Sequence, residues 1–510
     1  MFNIIILAAG IGSRLSPLTD TVPKALIRVN KKSILHYQME CLDALPEGST
    51  VYLVTGYLSN LIQQEIERTD LSCKLVVVEN KEYLETNNMY SLLLAMNEIG
   101  DDIRTTIVLN GDVVYDRSII EALISDKRDD LIAVDVGAYL KESMKVTLKE
   151  NQINHISKSI TKSEAFGVSI DLYKLSVTSY KNLLSKITEI VENGKRREWT
   201  EVALDLLLKT GEYPAQPHDI EGKPWWEIDN LDDLKVGEII FNKDADLGDI
   251  QSKELFVFDL DGTLILGENP TPGATELIEF LRRNGKKVAI MTNNSSRGIF
   301  ETQQVVSKVL GCSFSEAEIF SSTQATLTYL KAEGFQRIYP VGTRKFVGDL
   351  KDRGFTIEKD NPEAVVVSFD TELTYEKIRK ATLLLRNKKK YVATHSDLVC
   401  PTDEGMIPDA GSILALFKAS TNREPDAILG KPSPLFLKYL AESAGVAPDK
   451  IAVIGDRLYT DMRMALESNC TAILVLTGET RIADLGTTPY LPHFVFLSVG
   501  ELLEYWKLSA

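Results

Sequence analysis

The chain has 510 residues, of which 44% are hydrophobic and 25% are charged. At roughly 100 to 200 residues per domain it is too long for one hydrophobic core, and its composition excludes collagen, coiled coil and low-complexity disorder. With 57 basic and 73 acidic residues the formal net charge is −16, which disfavours a nucleic-acid partner because phosphate backbones are repelled.

The cysteines and the first apolar segment indicate the compartment. The five cysteines are odd in number, widely spaced and without a CxxC pair, so we expect neither a disulfide framework nor a zinc site. The apolar stretch from Ile4 to Ala9 is too short for a signal peptide core or a membrane span. We therefore expect a cytoplasmic protein without membrane insertion, and the sequence leaves a homo-oligomer open.

Short β-rich runs alternate with helix-like stretches in the first half of the chain, which predicts an α/β fold with a largely parallel sheet. The polar stretch Asn242–Lys253 has neither helical nor strand periodicity, so we interpret it as a domain boundary. Similar runs resume beyond it and predict a second α/β unit. The predicted strands are Asn3–Leu7, Val51–Thr55, Lys74–Val78, Thr105–Leu109, Leu255–Phe258, Lys287–Met291, Ala364–Ser368, Lys390–Thr394, Ile451–Ile454 and Ala472–Leu476.

The first predicted strand runs into a turn of small residues, Leu7-Ala-Ala-Gly-Ile-Gly-Ser-Arg14. Its glycines let backbone N–H groups approach a phosphate closely, and Arg14 and the later Lys24 add cations. Asp112 and Asp229 lie where strands end, and two such carboxylates can hold one Mg²⁺. Each of these patterns alone also fits an ordinary turn or helix cap.

Together and in this order, these segments resemble the bacterial sugar-nucleotidyltransferase family. That family has an LAAGxGxR segment, a PK pair, a GD aspartate and an IDxxxD segment. Thr86-Asn-Asn-Met-Tyr-Ser-Leu92 and Trp226-Glu-Ile-Asp-Asn-Leu-Asp-Asp-Leu234 are similar to the choline-phosphate cytidylyltransferase branch. The resemblance covers about residues 1 to 240. It implies a Rossmann-like domain that transfers a nucleotidyl group from an NTP to a phosphomonoester and releases pyrophosphate.

The resemblance also implies roles for individual residues. Lys24 is implied to be catalytic, Asp112 and Asp229 to bind Mg²⁺, and Asn88 and Tyr90 to bind the substrate. Lys158 or Lys162 is a further candidate phosphate contact. The residues implied to bind the nucleotide are Ala8, Gly10, Gly12, Ser13, Arg14 and Lys24.

The sequence leaves the phosphorylated acceptor open. A choline-type ligand favours an aromatic cage, for which this half offers Tyr90, Trp199, Trp225 and Trp226. Polyol phosphates such as glycerol phosphate need no cage. The preference for CTP rests on the family branch alone, because the residues do not distinguish CTP from UTP.

In the second half, the apolar run from Leu255 ends in two carboxylates, Asp259 and Asp261, which can divide the roles of nucleophile and acid/base. A strand followed by an Asp-Gly turn is the plainer interpretation. This plainer interpretation is disfavoured because further motifs with suitable side chains occur later in the chain. Two of them follow predicted strands and one lies far downstream. These motifs contain Thr292 and Asn293, Lys431, Asp456 and Asp461.

This set of four motifs resembles the haloacid dehalogenase superfamily of phosphatases over about residues 253 to 500. It implies that Asp259 forms an aspartyl phosphate and that Asp261 protonates the leaving alcohol and then activates water. Thr292, Asn293 and Lys431 are implied to bind the phosphoryl group, with Thr292 and Lys431 also catalytic. The residues implied to hold Mg²⁺ are Asp259, Asp261 through its backbone carbonyl, Asp456 and Asp461.

The long stretch between Asn293 and Lys431 predicts an inserted domain. Its segments resemble subclass IIA of the superfamily, which implies a C2-type α/β cap that closes over the site and selects substrate. His395 departs from that subclass, which often has TNxD where this chain has Thr394-His-Ser-Asp397. The predicted limits are 1–241 for the nucleotidyltransferase domain, 242–253 for the linker, 254–320 and 428–510 for the phosphatase core, and 321–427 for the cap.

The resulting interpretation is a bifunctional enzyme with one Mg²⁺ site in each half, acting on CTP and small phosphoesters. It would make a CDP-alcohol from phosphocholine, glycerol phosphate or an alditol phosphate, as a precursor of surface polysaccharide or phospholipid. The alternative is a sugar-1-phosphate uridylyl- or thymidylyltransferase fused to a sugar or triose phosphate phosphatase. A half that only binds phosphate ligands and regulates its neighbour is disfavoured because the principal motif residues are intact.

Overall fold

The computed structural model describes residues 1–67, 73–241, 248–293, 299–402 and 405–509. The chain divides into two compact units, Met1–Ala245 with Arg481–Thr487, and Asp246–Thr480 with Thr488–Ala510. Residues 242–247 of the predicted linker lie outside the described residues, as do residues 294–298, which continue the motif at Thr292. No helix in the described part of the chain is both long and apolar enough to cross a bilayer.

The first unit is built around a nine-stranded mixed sheet in the order β10-β9-β11-β6-β1-β4-β5, with β8 beside β11 and β12 beside β8. Its strands are β1 (Asn3–Ala8), β2 (Arg28–Val29), β3 (Lys32–Ser33), β4 (Thr50–Thr55), β5 (Lys74–Glu79), β6 (Thr106–Asn110), β7 (Val113–Tyr115), β8 (Leu131–Val136), β9 (Lys145–Lys149), β10 (Gln152–Ser157), β11 (Gly167–Leu175), β12 (Gln216–Asp219) and β13 (Trp225–Glu227). Its helices are α1 (Ile34–Cys41), α2 (Ser59–Ile66), α3 (Asn88–Ile99), α4 (Arg117–Ser125), α5 (Val177–Glu192), α6 (Thr200–Thr210) and α7 (Leu231–Ile240).

Strands β1, β4, β5 and β6 pair in parallel, and each lies within one residue of its predicted limits. Successive residues of β1 alternate between two hydrophobic clusters, with Ile5 packed in one and Ile4 and Ile6 in the other. Helices α3, α5 and α6 cover the first cluster, and α1 and α4 cover the second. Because helices cover both faces of the sheet at β1, the sequence of this strand is continuously apolar.

The second unit contains two fully parallel sheets. Its strands are β14 (Leu255–Asp259), β15 (Ile265–Leu266), β16 (Asn269–Pro270), β17 (Lys287–Thr292), β18 (Ile319–Ser321), β19 (Arg337–Val341), β20 (Thr356–Ile357), β21 (Ala364–Val367), β22 (Lys390–Ala393), β23 (Val399–Thr402), β24 (Gly405–Pro408), β25 (Ala427–Ile428), β26 (Ile451–Gly455), β27 (Thr471–Val475) and β28 (Phe494–Phe496). Its helices are α8 (Gly248–Gln251), α9 (Ala274–Arg283), α10 (Ile299–Leu310), α11 (Ser322–Ala332), α12 (Arg344–Asp352), α13 (Tyr375–Arg386), α14 (Ala410–Thr421), α15 (Pro434–Ala444), α16 (Arg463–Glu467) and α17 (Val499–Ser509).

The larger of these sheets has the order β18-β17-β14-β26-β27-β28, and the smaller has the order β20-β19-β21-β22-β25. All strands of the smaller sheet come between β18 and β26 in the chain, so it is an insert with its own core against α13 and α14. The predicted fold class, two α/β parts with an α/β cap inserted in the second, is confirmed. The domain limits stay predictions, and β25 extends one residue beyond the predicted end of the cap.

One element differs from the prediction. The stretch Asn242–Lys253 was expected to lack regular structure, yet Gly248–Gln251 form helix α8. Its Ile250 is buried, and Asp249 accepts hydrogen bonds from Lys253 Nζ at 2.8 Å and Thr471 Oγ1 at 2.9 Å. One turn is too short to show a period in the sequence, so tertiary contacts decide its conformation.

Candidate active sites

The turn after β1 brings its backbone close to Lys24. Gly12 has φ 72°, in the left-handed region that favours glycine. A Cβ at this position would lie 3.0 Å from Lys24 Cβ, so a side chain here would push against the lysine. Thr19 Oγ1 donates a hydrogen bond of 2.9 Å to the Gly12 carbonyl and holds the turn in place. The glycine therefore sets the distance between the turn and the cation.

Lys24 is held between two carboxylates that come from the ends of different strands. Its Nζ lies 2.8 Å from Asp112 Oδ2 and 2.7 Å from Asp229 Oδ1, and Arg14 Nη2 lies 2.7 Å from Asp229 Oδ2. Burial alone would lower the pKa of Lys24, but the two carboxylates outweigh it and raise that pKa. Burial alone would raise the pKa of Asp229, but Lys24 and Arg14 outweigh it and hold that pKa below the usual value. Lys24 and Asp229 are therefore oppositely charged at neutral pH.

Glu227 is a third carboxylate beside Asp112 and Asp229, and one oxygen of each lies within 4.8 Å of the others. Burial, followed by repulsion from Asp171 and Asp112, raises the pKa of Glu227 well above its usual value. Asp112 Oδ1 is buried and has no hydrogen-bond partner among the described residues. A buried oxygen without a partner beside two further carboxylates fits a hard divalent cation.

These residues line one cavity of about 330 Å³ in the first unit. Of the residues that the sequence assigns to this site, the cavity is lined by Ala8, Gly10, Gly12, Ser13, Arg14, Lys24, Asn88, Asp112 and Asp229. The described lining does not include Tyr90. Its hydroxyl donates to Glu82 Oε1 at 2.9 Å, and the Arg196 guanidinium lies 4.4 Å from its ring centroid, so its position does not support a substrate-binding role.

The cavity also contains a pair of acidic residues that the sequence reasoning missed, a buried glutamate and a partly buried aspartate. Asp171 and Glu201 both line it, and the Tyr173 hydroxyl lies 3.0 Å from Asp171 Oδ1 and 2.8 Å from Glu201 Oε1. Burial first, and then repulsion by Glu201 and Asp112, raises the pKa of Asp171 to about 8. Burial also raises the pKa of Glu201. We call these two residues the acid pair.

The backbone at Asp171 is unusual too. Its φ is 58°, and it lies where the pairing of β11 with β8 shifts register between Ser169 and Tyr173. Such positive φ values in a non-glycine residue concentrate at functional sites. The sequence signal was a single aspartate in β11, a strand that also contains Ser169 and Lys174, so it is easily taken for an outward-facing strand position.

The aromatic residues do not form a cage. Trp225 and Trp226 are buried, and Trp225 Nε1 donates to Asp135 Oδ2 at 3.1 Å. Trp199 lines the cavity, but Lys158 Nζ already lies 5.0 Å from its ring centroid. Lys158 lines the cavity as well, whereas Lys162 is exposed and is not among the described lining residues.

In the second unit, the carboxyl ends of adjacent parallel strands bring the predicted residues together. Asp259 ends β14, Thr292 ends β17, and Asp456 follows β26. Lys431 Nζ lies 2.5 Å from Asp259 Oδ1 and 2.8 Å from Asp461 Oδ1. Burial raises the pKa of Asp259 and of Asp461 to about 6 each, although Lys431 opposes it. A buried lysine between two carboxylates is thus the centre of this site as well.

Asp259, Asp456 and Asp461 form a buried trio whose oxygens lie within 4.8 Å of one another. Asp456 Oδ2 accepts from the Glu479 N–H at 2.7 Å, while Oδ1 is buried without a hydrogen-bond partner among the described residues. A Cβ on Gly478 would lie 2.0 Å from Asp456 Oδ2, so only glycine leaves room for this carboxylate. The trio therefore also fits a divalent cation.

Asn293 links the core to the insert and to Lys431. Its Oδ1 accepts from the Lys431 N–H at 2.7 Å, and its Nδ2 donates to Lys431 O at 3.1 Å and to Asp397 Oδ2 at 3.0 Å. Asp261 is exposed two residues after Asp259, where a carboxyl group can reach a leaving alcohol. Thr292 is buried at the end of its strand.

His395, which departs from the common pattern, is buried with only 1% of its surface exposed. Its Nδ1 lies 2.9 Å from Thr394 Oγ1, and its Nε2 lies 2.9 Å from Asp409 Oδ1. Asp409 also caps helix α14. The histidine therefore joins the Thr394–Asp397 segment to the start of α14, immediately beside the segment that carries Lys431.

Comparison with known proteins assigns families to both parts. Residues 3–143 match the nucleotidyl transferase family model, residues 256–356 match the haloacid dehalogenase-like hydrolase model, and residues 428–502 match a HAD-hydrolase-like model. The chain is 33% identical to chloroplastic phosphoglycolate phosphatase 1A of Arabidopsis thaliana over 283 residues, covering 50% of this chain and 78% of that protein. The chain belongs to the haloacid dehalogenase-like hydrolases.

Two further similar proteins each match about half of this chain. It is 30% identical to the dihydroxyacetone phosphatase of Corynebacterium glutamicum (strain R), over 49% of this chain and 91% of that protein. A crystal structure of the 4-nitrophenylphosphatase of Thermotoga maritima has a TM-score of 0.48 and 40% identity, over 50% of this chain and 98% of that one. With the nucleotidyl transferase domain, the hydrolase is both a nucleotidyltransferase and a phosphomonoesterase, as the sequence predicted.

Proposed function

We propose that the first unit transfers a cytidylyl group from CTP to a small phosphorylated alcohol, giving a CDP-alcohol and pyrophosphate. The second unit hydrolyses a small phosphomonoester through an aspartyl phosphate. The observation that carries both proposals is a lysine held between two carboxylates in each unit. Lys24 lies between the partly exposed Asp112 and Asp229, and Lys431 lies between the buried Asp259 and Asp461. Nucleotidyl and phosphoryl transfer need such fixed charges far more than they need acid/base groups.

In the transferase, an oxygen of the acceptor phosphate attacks the α-phosphorus of CTP while the bond to pyrophosphate breaks. The backbone of Gly10 and Gly12 lies where it can approach the nucleotide phosphates, and Arg14 and Lys24 offset the charge that develops on them. Asp112, Asp229 and Glu227 would hold Mg²⁺, which supplies charge neutralisation and orients the phosphates when bound.

In the phosphatase, a carboxylate oxygen of Asp259 attacks phosphorus, and the alcohol leaves with a proton from Asp261. Water then attacks the acyl phosphate, gives its proton to Asp261, and releases inorganic phosphate and the Asp259 carboxylate. Lys431 offsets charge on the phosphoryl oxygens throughout. Asp259, Asp456 and Asp461, with the Asp261 carbonyl, would hold the Mg²⁺ that neutralises the phosphoryl group when bound.

The relatives are named for small phosphomonoesters, namely phosphoglycolate, dihydroxyacetone phosphate and acid sugar phosphates. We propose a substrate of that size for this phosphatase. It should act on an earlier intermediate, such as a keto-triose phosphate, and spare the transferase acceptor, because hydrolysis of the acceptor would undo its activation. The two reactions would then serve precursor synthesis for surface polysaccharide or phospholipid in the cytoplasm.

The test is one incubation of the full chain with Mg²⁺, CTP and single phosphoesters, with pyrophosphate and inorganic phosphate followed separately. The panel contains phosphocholine, phosphoethanolamine, glycerol phosphates, alditol phosphates, dihydroxyacetone phosphate and phosphoglycolate. Asp259→Asn should abolish phosphate release and leave pyrophosphate release intact. Asp112→Ala should do the reverse, so each variant is the matched control for the other.

Three outcomes would contradict the proposal. Pyrophosphate release only with UTP or dTTP and a sugar 1-phosphate would replace cytidylyl transfer by the sugar-nucleotide alternative. Faster hydrolysis than activation of the transferase's own acceptor would exclude the proposed division of substrates. Loss of both activities in both variants would mean that the two sites are not independent catalysts.

A further inference from the structure

The acid pair Asp171 and Glu201 has no role in the transfer chemistry proposed above. Both residues line the same cavity as Lys24 and Asp112, but they lie outside the carboxylate trio that fits a cation. Glu201 is only 4% exposed. A buried carboxylate in a ligand cavity is costly unless something in the cavity donates hydrogen bonds to it.

The protein itself supplies few donors to the pair. The Tyr173 hydroxyl has one hydrogen and lies at bonding distance from one oxygen of each carboxylate. Asn110 Nδ2 donates to the second oxygen of Asp171 at 3.0 Å. Both carboxyl groups also line the cavity. A ligand hydroxyl group can both donate to and accept from them, whichever of the two carries a proton.

A quaternary ammonium suits this part of the cavity poorly. It has no hydrogen to donate, and of the four candidate cage residues only Trp199 lines the cavity. Lys158 lies over that ring and is close enough to Glu201 to act on its ionisation. The face of Trp199 that a quaternary ammonium would use is therefore already taken by Lys158, whereas a neutral polyol needs no aromatic face.

We propose that the acid pair selects an acceptor with free hydroxyl groups, so that the transferase acts on a polyol phosphate rather than on phosphocholine. This inference rests on the proposed cytidylyl transfer and specifies its acceptor. Asp171 and Glu201 are specificity-determining residues in it, because they would bind hydroxyl groups of the acceptor and not its reacting phosphate. Further neighbours suited to the same hydroxyls are the amide and hydroxyl side chains of Asn88 and Ser91, which line the cavity.

The decisive comparison uses glycerol 3-phosphate and n-propyl phosphate, which have the same carbon chain with and without two hydroxyl groups. Both are assayed for pyrophosphate release with CTP, in an Asp259→Asn background so that the acceptors are not hydrolysed. Other glycerol and alditol phosphates, phosphoethanolamine and phosphocholine complete the set. We expect the best polyol phosphate to exceed propyl phosphate and phosphocholine in kcat/KM by at least about 10-fold, since buried polar groups reject analogues that leave them unpaired.

Variants of the acid pair test whether these two residues cause the preference for hydroxyl-bearing acceptors. Glu201→Gln and Asp171→Asn should raise KM for the polyol and bring its advantage over propyl phosphate toward unity. Asp205→Asn is the matched control, since Asp205 lies one turn further along α6, bonds to His155 and Lys209, and is not among the described lining residues. The ratio of two acceptors does not depend on how much of a variant is folded.

The outcomes separate this inference from the proposed function. If phosphocholine, phosphoethanolamine or propyl phosphate is used as well as every polyol phosphate, the inference is overturned while cytidylyl transfer stands. An unchanged acceptor ratio in both acid-pair variants overturns it as well. If CTP gives no pyrophosphate with any acceptor, the proposed function fails, and the inference fails with it.

Discussion

Gly430 offers a severe test of the phosphatase site, because it lies beside Lys431 where there is no space for a side chain. A Cβ at this position would lie 2.6 Å from Asn293 Oδ1, 2.6 Å from His395 Cβ and 2.8 Å from Thr394 O. Ordinary contact begins near 3.4 Å, so Gly430→Ala must displace its neighbours by about 0.8 Å. Asn293 Oδ1 is the acceptor for the Lys431 N–H, so that displacement reaches the catalytic lysine.

A shift approaching 1 Å in a group that offsets phosphoryl charge costs about 100-fold in rate. We therefore expect Gly430→Ala to lower kcat for phosphate release by about two orders of magnitude and leave pyrophosphate release unchanged. Overpacking should also reduce the free energy of unfolding of this unit by about 1 to 3 kcal/mol. Initial rates with excess phosphoester and a thermal unfolding curve measure both effects.

The matched control is Gly348→Ala, which lies inside helix α12 and has no atom within 4 Å of its added Cβ. It should keep full phosphatase activity and gain up to about 1 kcal/mol from helix propensity. If Gly430→Ala hydrolyses phosphoesters at the rate of the unmodified chain, the argument that close packing positions Lys431 is refuted.

Three further predictions follow from the same contacts. Lys24→Ala should reduce pyrophosphate release by about 100-fold or more with unchanged phosphate release, since a charge-offsetting group is removed; equal loss of both activities would contradict this. Burial raises the pKa of Cys41 and Cys470 to about 12, so iodoacetamide at pH 8 should label the half-buried Cys73, Cys312 and Cys400 before these two in peptide mass spectra, and equal labelling would exclude that burial. His395→Ala removes one of the two hydrogen-bond partners of Asp409, so unfolding in urea should show a loss of about 1 kcal/mol, and no change would refute the pairing.

Much of the fold could be predicted from the sequence, because the spacing of apolar residues and the positions of turn residues indicated the same strands and helices. The apolar runs at Asn3 and Leu255 both mark central strands, and the small residues after them both mark turns at the carboxyl edge of a sheet. Asp259, Thr292 and Asp456 are far apart in the chain but could be placed together, because their parallel strands end at one edge of the larger sheet. Lys431 follows β25 of the smaller sheet, so only the family resemblance placed it with them.

The side-chain contacts within the two sites could not be predicted from the sequence in this way. Asp171 lies in a strand whose pattern is interrupted by a register shift, and a period of two gives no information across such a shift. His395 could be recognised as unusual, but its partner Asp409 is 14 residues away, across a hairpin that the sequence did not predict. Tertiary contacts of this kind have no local signal.

The two sites solve one physical problem in the same way on different sheets. Each must gather several carboxylates for a cation and a phosphate while the protein is folded without either. In both, a lysine from a distant segment lies between two of the carboxylates and offsets their charge. Removing the lysine should therefore destabilise its own unit as well as slow its reaction, because the carboxylates would be left without a compensating charge. The loss should be larger at Lys431, whose carboxylates are buried, than at Lys24, whose carboxylates are partly exposed. Substitution of the carboxylates as well should restore part of that stability and none of the activity, which distinguishes charge compensation from catalysis in a single pair of variants.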